Sequence, residues 1–294
     1  MNTTTVVMLT ETNPAGELVD ATLPLINIED QGLTRGDGVF ETMLAANRTV
    51  RKLDSHLARL AGSARLLDLP LPSEGDLRGA VHLAVDSAPQ GAQTVLGEEH
   101  TVKIVVSRGT AEAGPHAWVT VAPSSATVLR QREQGVRVML LPRGHDPAED
   151  STYPWLLAGA KTLSYAVNMS VLRYVGKHGA DDAIWVTDDR RILEGATSSV
   201  IVAKTEGQKK VLYTPEPAHG ILPGTTQGAI FAGARAAGWE LGYGPLYPQD
   251  LLEADAVWLA SSVRLLAPVT HLNGTPVATD QALTEELLGY LARG

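Results

Sequence analysis

The chain predicts an α+β protein of two domains, and three observations carry that expectation. Its 294 residues suit one large or two medium domains. Helix-period and strand-period segments mix along it without the strict alternation of a parallel βαβ sheet. The stretch PSSATVLRQ between two β-rich halves reads as a connection. It divides the chain into an N-terminal domain over 1–122, a connection over 123–130 and a C-terminal domain over 131–294, two bodies expected to meet at a cleft.

The elements follow in order. VVMLTETNPAGELVD predicts two short strands around a Pro-Ala-Gly turn, and GVFETMLAANRTVRKL two more around Ala-Asn-Arg. LDSHLARLAGSARLLDL predicts a helix with Asp54 as N-cap, since Leu57, Leu60, Ala64 and Leu67 recur at spacings of three and four. DLRGAVHLAVDSA is a second helix, and TVKIVVSRG and HAWVTVAP are β-rich and expected to pair. In the second half GVRVMLLPR is a strand. AKTLSYAVNMSVLRYVGKHG is a helix closed by Gly179, with Arg173, Lys177 and His178 where the helix dipole favours cations. DAIWVTDDRRILEGATSSVIVAK predicts a hairpin turning at Asp188–Asp189, and KKVLYTP a further strand. TTQGAIFAGARAAGWE is a helix, DAVWLASSV a strand and ALTEELLGYLAR a terminal helix, while Leu241–Pro248 has the Gly and Pro density of a loop.

Composition removes several classes of function. At 44% hydrophobic and 19% charged residues the chain has ordinary globular content and enough apolar side chains for a sizeable core. A net charge of −9, with Lys209–Lys210 isolated, argues against a nucleic-acid partner. The absence of cysteine excludes disulfide scaffolds, thiolate zinc sites and cysteine nucleophiles. No apolar run approaches the ~18 residues of a membrane span, and the N-terminus has no basic start, so a cytoplasmic protein without membrane partners is expected. The eight histidines show no HExxH or paired-ligand spacing, so no metal is expected. GDG at 36–38 lacks the third glycine of a dinucleotide fingerprint, GTTQG lacks the lysine of a P-loop, and Ser198 and Ser199 lack the GxSxG context.

Three features then stand out together. Lys161 is the only formal charge in the nineteen residues from Ser151 to Met169. Glu194 follows 33 positions later at the end of a predicted strand, and Thr225 and Thr226 follow 31 further on, where a loop becomes a helix. Taken singly, each has an ordinary reading: a lysine stem covering apolar surface, a strand-end carboxylate, an N-cap pair. Together they are what pyridoxal phosphate requires. An amine holds its aldehyde as a Schiff base, a carboxylate keeps its pyridine nitrogen protonated, and a helix start binds its phosphate. Burial of that lysine would favour its neutral form.

The anchors RGDGVFET at 35–42, HLARL at 56–60, SRG at 107–109, AKTLSY at 160–165, LEGATSSV at 193–200, GTTQ at 224–227 and ASSVRLLAPV at 260–269 extend over nearly the whole chain. As an ordered set they resemble the fold-type IV pyridoxal-phosphate enzymes. These comprise branched-chain aminotransferases, D-amino-acid aminotransferases and aminodeoxychorismate lyases. The resemblance implies a small N-terminal α/β domain, a larger C-terminal pseudo-barrel α/β domain and a homodimer. It implies that Lys161 carries the cofactor and moves protons, and that Glu194 pairs with the pyridine nitrogen. Arg59, Thr225, Thr226 and Ser262 would hold the phosphate with Ser261 close by, and Arg108 would bind a substrate carboxylate. GTTQ departs from the GITR of many relatives but keeps the phosphate threonine. SARLLDLP, SRGTAEAG and PWLLAGAKTLSYAVNMSVLR are most similar to the actinobacterial aminodeoxychorismate lyases. They convert 4-amino-4-deoxychorismate to 4-aminobenzoate and pyruvate on the route to folate. The alternatives are a D-amino-acid or related aminotransferase and, more distantly, a catalytically silent cofactor-binding homologue.

Overall fold

The structure, a computed structural model, describes residues 4–144, 146–147, 152–216 and 220–292. It forms two compact units. The first runs to Ala126 and takes in Ala160–Tyr165; the second holds Thr127–Gly159 and continues from Ala166.

The first unit is a seven-stranded sheet with helices against it. Its strands are β1 (Thr5–Thr10), β2 (Asn13–Val19), β3 (Gly38–Ala46), β4 (Thr49–Val50), β5 (Ala92–Thr94), β6 (Gly97–Thr110) and β7 (Gly114–Pro123), in the order β2-β1-β7-β6-β3-β4 with β5 on β6. All neighbours are antiparallel. The helices are α1 (Gln31–Arg35), α2 (Leu53–Leu66) and α3 (Glu74–Asp86). Alternate residues of the strands (Val7 and Leu9; Val102, Ile104 and Val106; Ala117, Val119 and Val121) share one core with Leu57, Leu60 and Ala64 of α2 and Leu77, Ala80 and Val81 of α3. Leu60 is fully buried, so Leu60→Ala would cost about 2–5 kcal/mol. The β3–β4 turn at Asn47–Arg48 has φ of 48° and 64°, the left-handed pair that a two-residue hairpin needs.

The second unit is built on a nine-stranded sheet. Its strands are β8 (Val136–Pro142), β9 (Asp182–Val186), β10 (Ile192–Gly195), β11 (Ser199–Glu206), β12 (Lys209–Thr214), β13 (Glu240–Tyr243), β14 (Ala256–Ser261), β15 (Leu265–Leu272) and β16 (Thr275–Pro276). The order is β10-β9-β8-β15-β14-β11-β12-β13, with β16 on β15. The β8–β9, β8–β15 and β12–β13 pairs are parallel. The helices are α4 (Ala126–Gln134), α5 (Ala166–Lys177), α6 (Thr225–Ala236), α7 (Pro248–Leu252) and α8 (Gln281–Ala292). Val136, Val138, Ile184, Val200, Val202, Val257, Leu259 and Val269 make one core, and Val171, Val175, Trp185 and Leu193 a second under α5. Among the described residues no helix is long and apolar enough to cross a membrane.

Five local expectations differ from the structure. Pro14, Ala15 and Gly16 lie inside β2, the turn falling at Glu11–Thr12. Asp54 sits in the first turn of α2, whose N-cap is Lys52 at φ 54° without a side-chain cap. The stretch over 123–130, read as a connection without regular structure of its own, is helical from Ala126. Leu241–Tyr243 is strand, because Gly242 lets the β13 backbone pass under the Tyr213 ring where a Cβ would collide. Helix α5 begins at Ala166 rather than beside Lys161, because the intervening residues pair with β3.

Candidate active site

Lys161 is fixed by its backbone. Its carbonyl accepts from Phe40 N at 3.1 Å and its own N–H donates to Ser63 Oγ at 3.0 Å. Leu163 N donates to Gly38 O at 2.8 Å, and Thr162 bridges Val39. Residues 160–165 thus behave as an extra extended segment against the start of β3. Gly38 is required there, since a Cβ would be 2.6 Å from the Leu163 side chain and 2.5 Å from Val106 O. The half-buried Lys161 carries its Nζ 4.3 Å from the Phe40 ring centroid and 5.3 Å from that of Tyr165. Those two rings meet edge-on at 5.1 Å and 87°. The amine therefore stands at an aromatic corner on an extended segment rather than at a helix start.

Arg59, on α2, reaches back to β3. Its Nε and Nη2 donate to Glu41 Oε1 and Oε2 at 2.6 and 2.8 Å. His56 Nδ1 meets Glu41 Oε2 at 2.7 Å. Glu41 and His56 are buried, and the Arg59 side chain is 13% exposed. Burial pushes the Glu41 carboxyl up, but hydrogen bonds and charge from Arg59 and His56 outweigh it, and the group sits below the usual carboxylate range. Neither Glu41 nor His56 was singled out by sequence reasoning. The signal was present: Glu41 interrupts the inward row Val39, Met43, Ala45 of β3, and a buried carboxylate in an apolar row needs a cationic partner.

Arg108 ends β6 in a different setting. Its Nε donates to Asp37 Oδ2 at 2.7 Å, and its Nη2 and Nη1 to Leu67 O and Asp68 O at 2.7 and 3.3 Å. It caps the C-terminus of α2, where carbonyls lack helical partners. The hydrogen bond to Asp37 raises its pKa. A substrate carboxylate arriving at Arg108 would share it with Asp37.

In the second unit Glu194 lies on β10 and is half-buried, with Leu222 N donating to its Oε2 at 3.3 Å. Helix α6 begins at Thr225 after Gly224, which supplies no capping side chain. A Cβ at Gly224 would run into the Ser199 hydroxyl, which would have to turn aside to admit one. Thr225 Oγ1 and Ser262 Oγ lie 3.1 Å apart, joining the helix start to the β14–β15 hairpin. Thr226, in the same first turn, is buried. Ser261 Oγ accepts from Arg264 N at 3.3 Å. A helix start without a capping side chain, next to two hydroxyls, has the donor chemistry of a phosphate site. Each unit carries part of the donor chemistry that pyridoxal phosphate needs: the amine of Lys161 in the first, and the carboxylate of Glu194 with this helix start in the second. Among the described residues no group of three or more His, Cys, Asp or Glu could hold a metal ion.

Residues 38–272 match the family model for amino-transferase class IV. The chain belongs to that family. This class IV chain is 41% identical over 274 residues to a bifunctional aminodeoxychorismate lyase / D-amino acid transaminase from Mycobacterium tuberculosis, an alignment covering 90% of this chain and 93% of the relative. Among solved structures it is similar to a fold IV-transaminase from Curtobacterium pusillum (TM-score 0.88, 39% identity, 99% and 98% of the two chains). A hypothetical aminotransferase from M. tuberculosis in its PLP-bound form is also similar (TM-score 0.87, 37% identity, 98% and 97%). The protein is thus a fold-type IV enzyme with α+β architecture, and its cofactor is pyridoxal phosphate.

Proposed function

We propose that this enzyme is an aminodeoxychorismate lyase, releasing 4-aminobenzoate and pyruvate from 4-amino-4-deoxychorismate for folate synthesis. The observation that carries this is the likeness to the bifunctional M. tuberculosis protein, which extends over 93% of that protein. When bound, pyridoxal phosphate draws off the electron pair left at the carbon bearing the substrate nitrogen.

This chain's residues supply the rest. Lys161 would hold the cofactor aldehyde, and with substrate bound its Nζ would accept the proton from the amine-bearing ring carbon. The Phe40–Tyr165 corner limits where that amine can point. Glu194 holds a proton at the pyridine nitrogen. Thr225, Thr226, Ser262 and Arg59 bind the phosphate, Arg59 being oriented by Glu41. The ether C–O bond of the substrate breaks with its electron pair on oxygen. A proton added to the departing enolate carbon gives pyruvate, and the ring left behind is aromatic. Atoms balance without a second substrate.

The same M. tuberculosis relative favours a second reading, D-amino-acid transamination, on the same residues. The two are separated by assay. With substrate made in situ from chorismate and glutamine, pyruvate release is coupled to lactate dehydrogenase and 4-aminobenzoate is followed by its fluorescence, with no 2-oxo acid added. In parallel, glutamate formation is followed from D-alanine and 2-oxoglutarate. We expect 4-aminobenzoate in the first. Its absence there, with rapid turnover in the second, would replace the lyase by the transaminase.

A further inference from the structure

The β14–β15 hairpin carries a buried charge pair that its own turn does not need. Ser261 pairs with Leu265 across the hairpin, so Ser262, Val263 and Arg264 form a three-residue loop. Such loops usually place their polar residues in water. Here Arg264 turns inward and donates from Nη1 to Asp182 Oδ2 at 2.6 Å, with side chains 10% and 0% exposed. Asp182 begins β9, which is separated from β14 by β8 and β15. Its other oxygen accepts from Ala183 N at 2.8 Å. Val263 O accepts from Arg132 Nη2 at 2.5 Å. Leu265, at the foot of the loop, has φ 60°. A branched side chain rarely adopts that conformation, which persists only where the surroundings over-determine it. The loop is therefore clamped from both sides in one geometry, and that geometry sets Ser262 Oγ 3.1 Å from Thr225 Oγ1.

A buried ion pair contributes little net stability compared with apolar residues of similar size, so stability alone does not account for it. We propose that Asp182 and Arg264 are positioning residues for the cofactor's phosphate, fixing the Ser262 hydroxyl against the start of α6. This rests on the reading above that Thr225 and Ser262 bind that phosphate. Neither charged group needs to touch the cofactor.

The test compares pyridoxal phosphate with pyridoxal, which lacks only the phosphate, binding to the full-length chain dialysed free of cofactor. Asp182→Leu/Arg264→Met removes both charges together, and such replacements commonly leave stability intact. The expected result is a roughly tenfold weaker constant for pyridoxal phosphate, an unchanged constant for pyridoxal, and a smaller thermal stabilisation by inorganic phosphate in the variant than in the wild type. Arg264→Lys, which keeps the charge, should recover part of the preference, and it carries the comparison if the double variant is not soluble. Equal loss for both ligands would make the pair a general folding element and overturn the proposal, as would no change for either. Ser262→Ala separates the two layers. If it lowers the preference for the phosphorylated ligand while the Asp182 and Arg264 variants do not, only the positioning role fails. If Ser262→Ala and Thr225→Ala both leave the preference intact, the phosphate assignment itself fails, and the proposal with it.

Discussion

Glu41→Gln is the substitution whose cost can be worked most fully. The Glu41 carboxylate receives three hydrogen bonds, two from Arg59 at 2.6 and 2.8 Å and one from His56 at 2.7 Å, in a position with no solvent exposure. Glutamine preserves the shape but turns an NH2 toward one of these donors and removes the charge that balances Arg59. Breaking a buried pair from one side typically costs about 3–5 kcal/mol. For a chain of this size that corresponds to a fall in thermal midpoint of roughly 5–8 °C. The pH dependence has a definite sign. The folded-state pKa of Glu41 is lowered, so its contribution is present above the unfolded value of about 4.3 and fades as pH falls through the lower folded value. Thermal midpoints of the holoenzyme and the variant, from about pH 7 down to about pH 3.5, read both effects. The gap between them should be full near neutrality and begin to narrow below about pH 4.3. A gap below about 1 kcal/mol, or one that stays constant across that range, would refute the account of Glu41 as an ionised anchor.

Three further outcomes follow from the site. Glu194→Gln should retain cofactor but lose most turnover, because an amide does not keep the pyridine nitrogen protonated; unchanged kcat would remove Glu194 from that role. Arg59→Ala should weaken cofactor binding by about 1.5–3 kcal/mol, the range of a charge-assisted hydrogen bond, while turnover at saturating cofactor changes less. A titration showing wild-type affinity would leave Arg59 as the partner of Glu41 alone. Arg108→Leu should lower the thermal midpoint, since it removes the Asp37 pair and the cap on α2. A raised KM with unchanged stability would instead place Arg108 on the substrate.

Much of this was legible in the sequence where the signal is local. The β3–β4 hairpin, α3, the β6–β7 pair and α6 follow from side-chain period and turn chemistry. What was not legible is non-local. Residues Ala160–Tyr165 have a helix-compatible composition, yet they pair with β3, more than a hundred residues earlier in the chain. That pairing, not a helix, orients Lys161. Ser124–Gln131 was polar enough to suggest a connection, but its residues are compatible with the helix that forms. Asp54 is a good capping residue by type, whereas the chain reaches α2 through left-handed Lys52 and leaves Asp54 within the first turn. The amine, the carboxylate and the helix-start hydroxyls were all named from residue type and order. The groups that hold side chains in place were not: Glu41 and His56 behind Arg59, Asp37 beside Arg108, and Asp182 behind Arg264. Each pairs residues far apart in the chain, and one sequence does not record such partners.

The central claim is that the chemistry runs through the amine of Lys161, and it can be tested without knowing the substrate. Borohydride reduction of the holoenzyme, followed by proteolysis and peptide mass mapping, locates the lysine joined to the cofactor. The account predicts a single pyridoxyl-labelled peptide containing Lys161. A label on Lys103, Lys177 or any other lysine, with Lys161 unmodified, would contradict it.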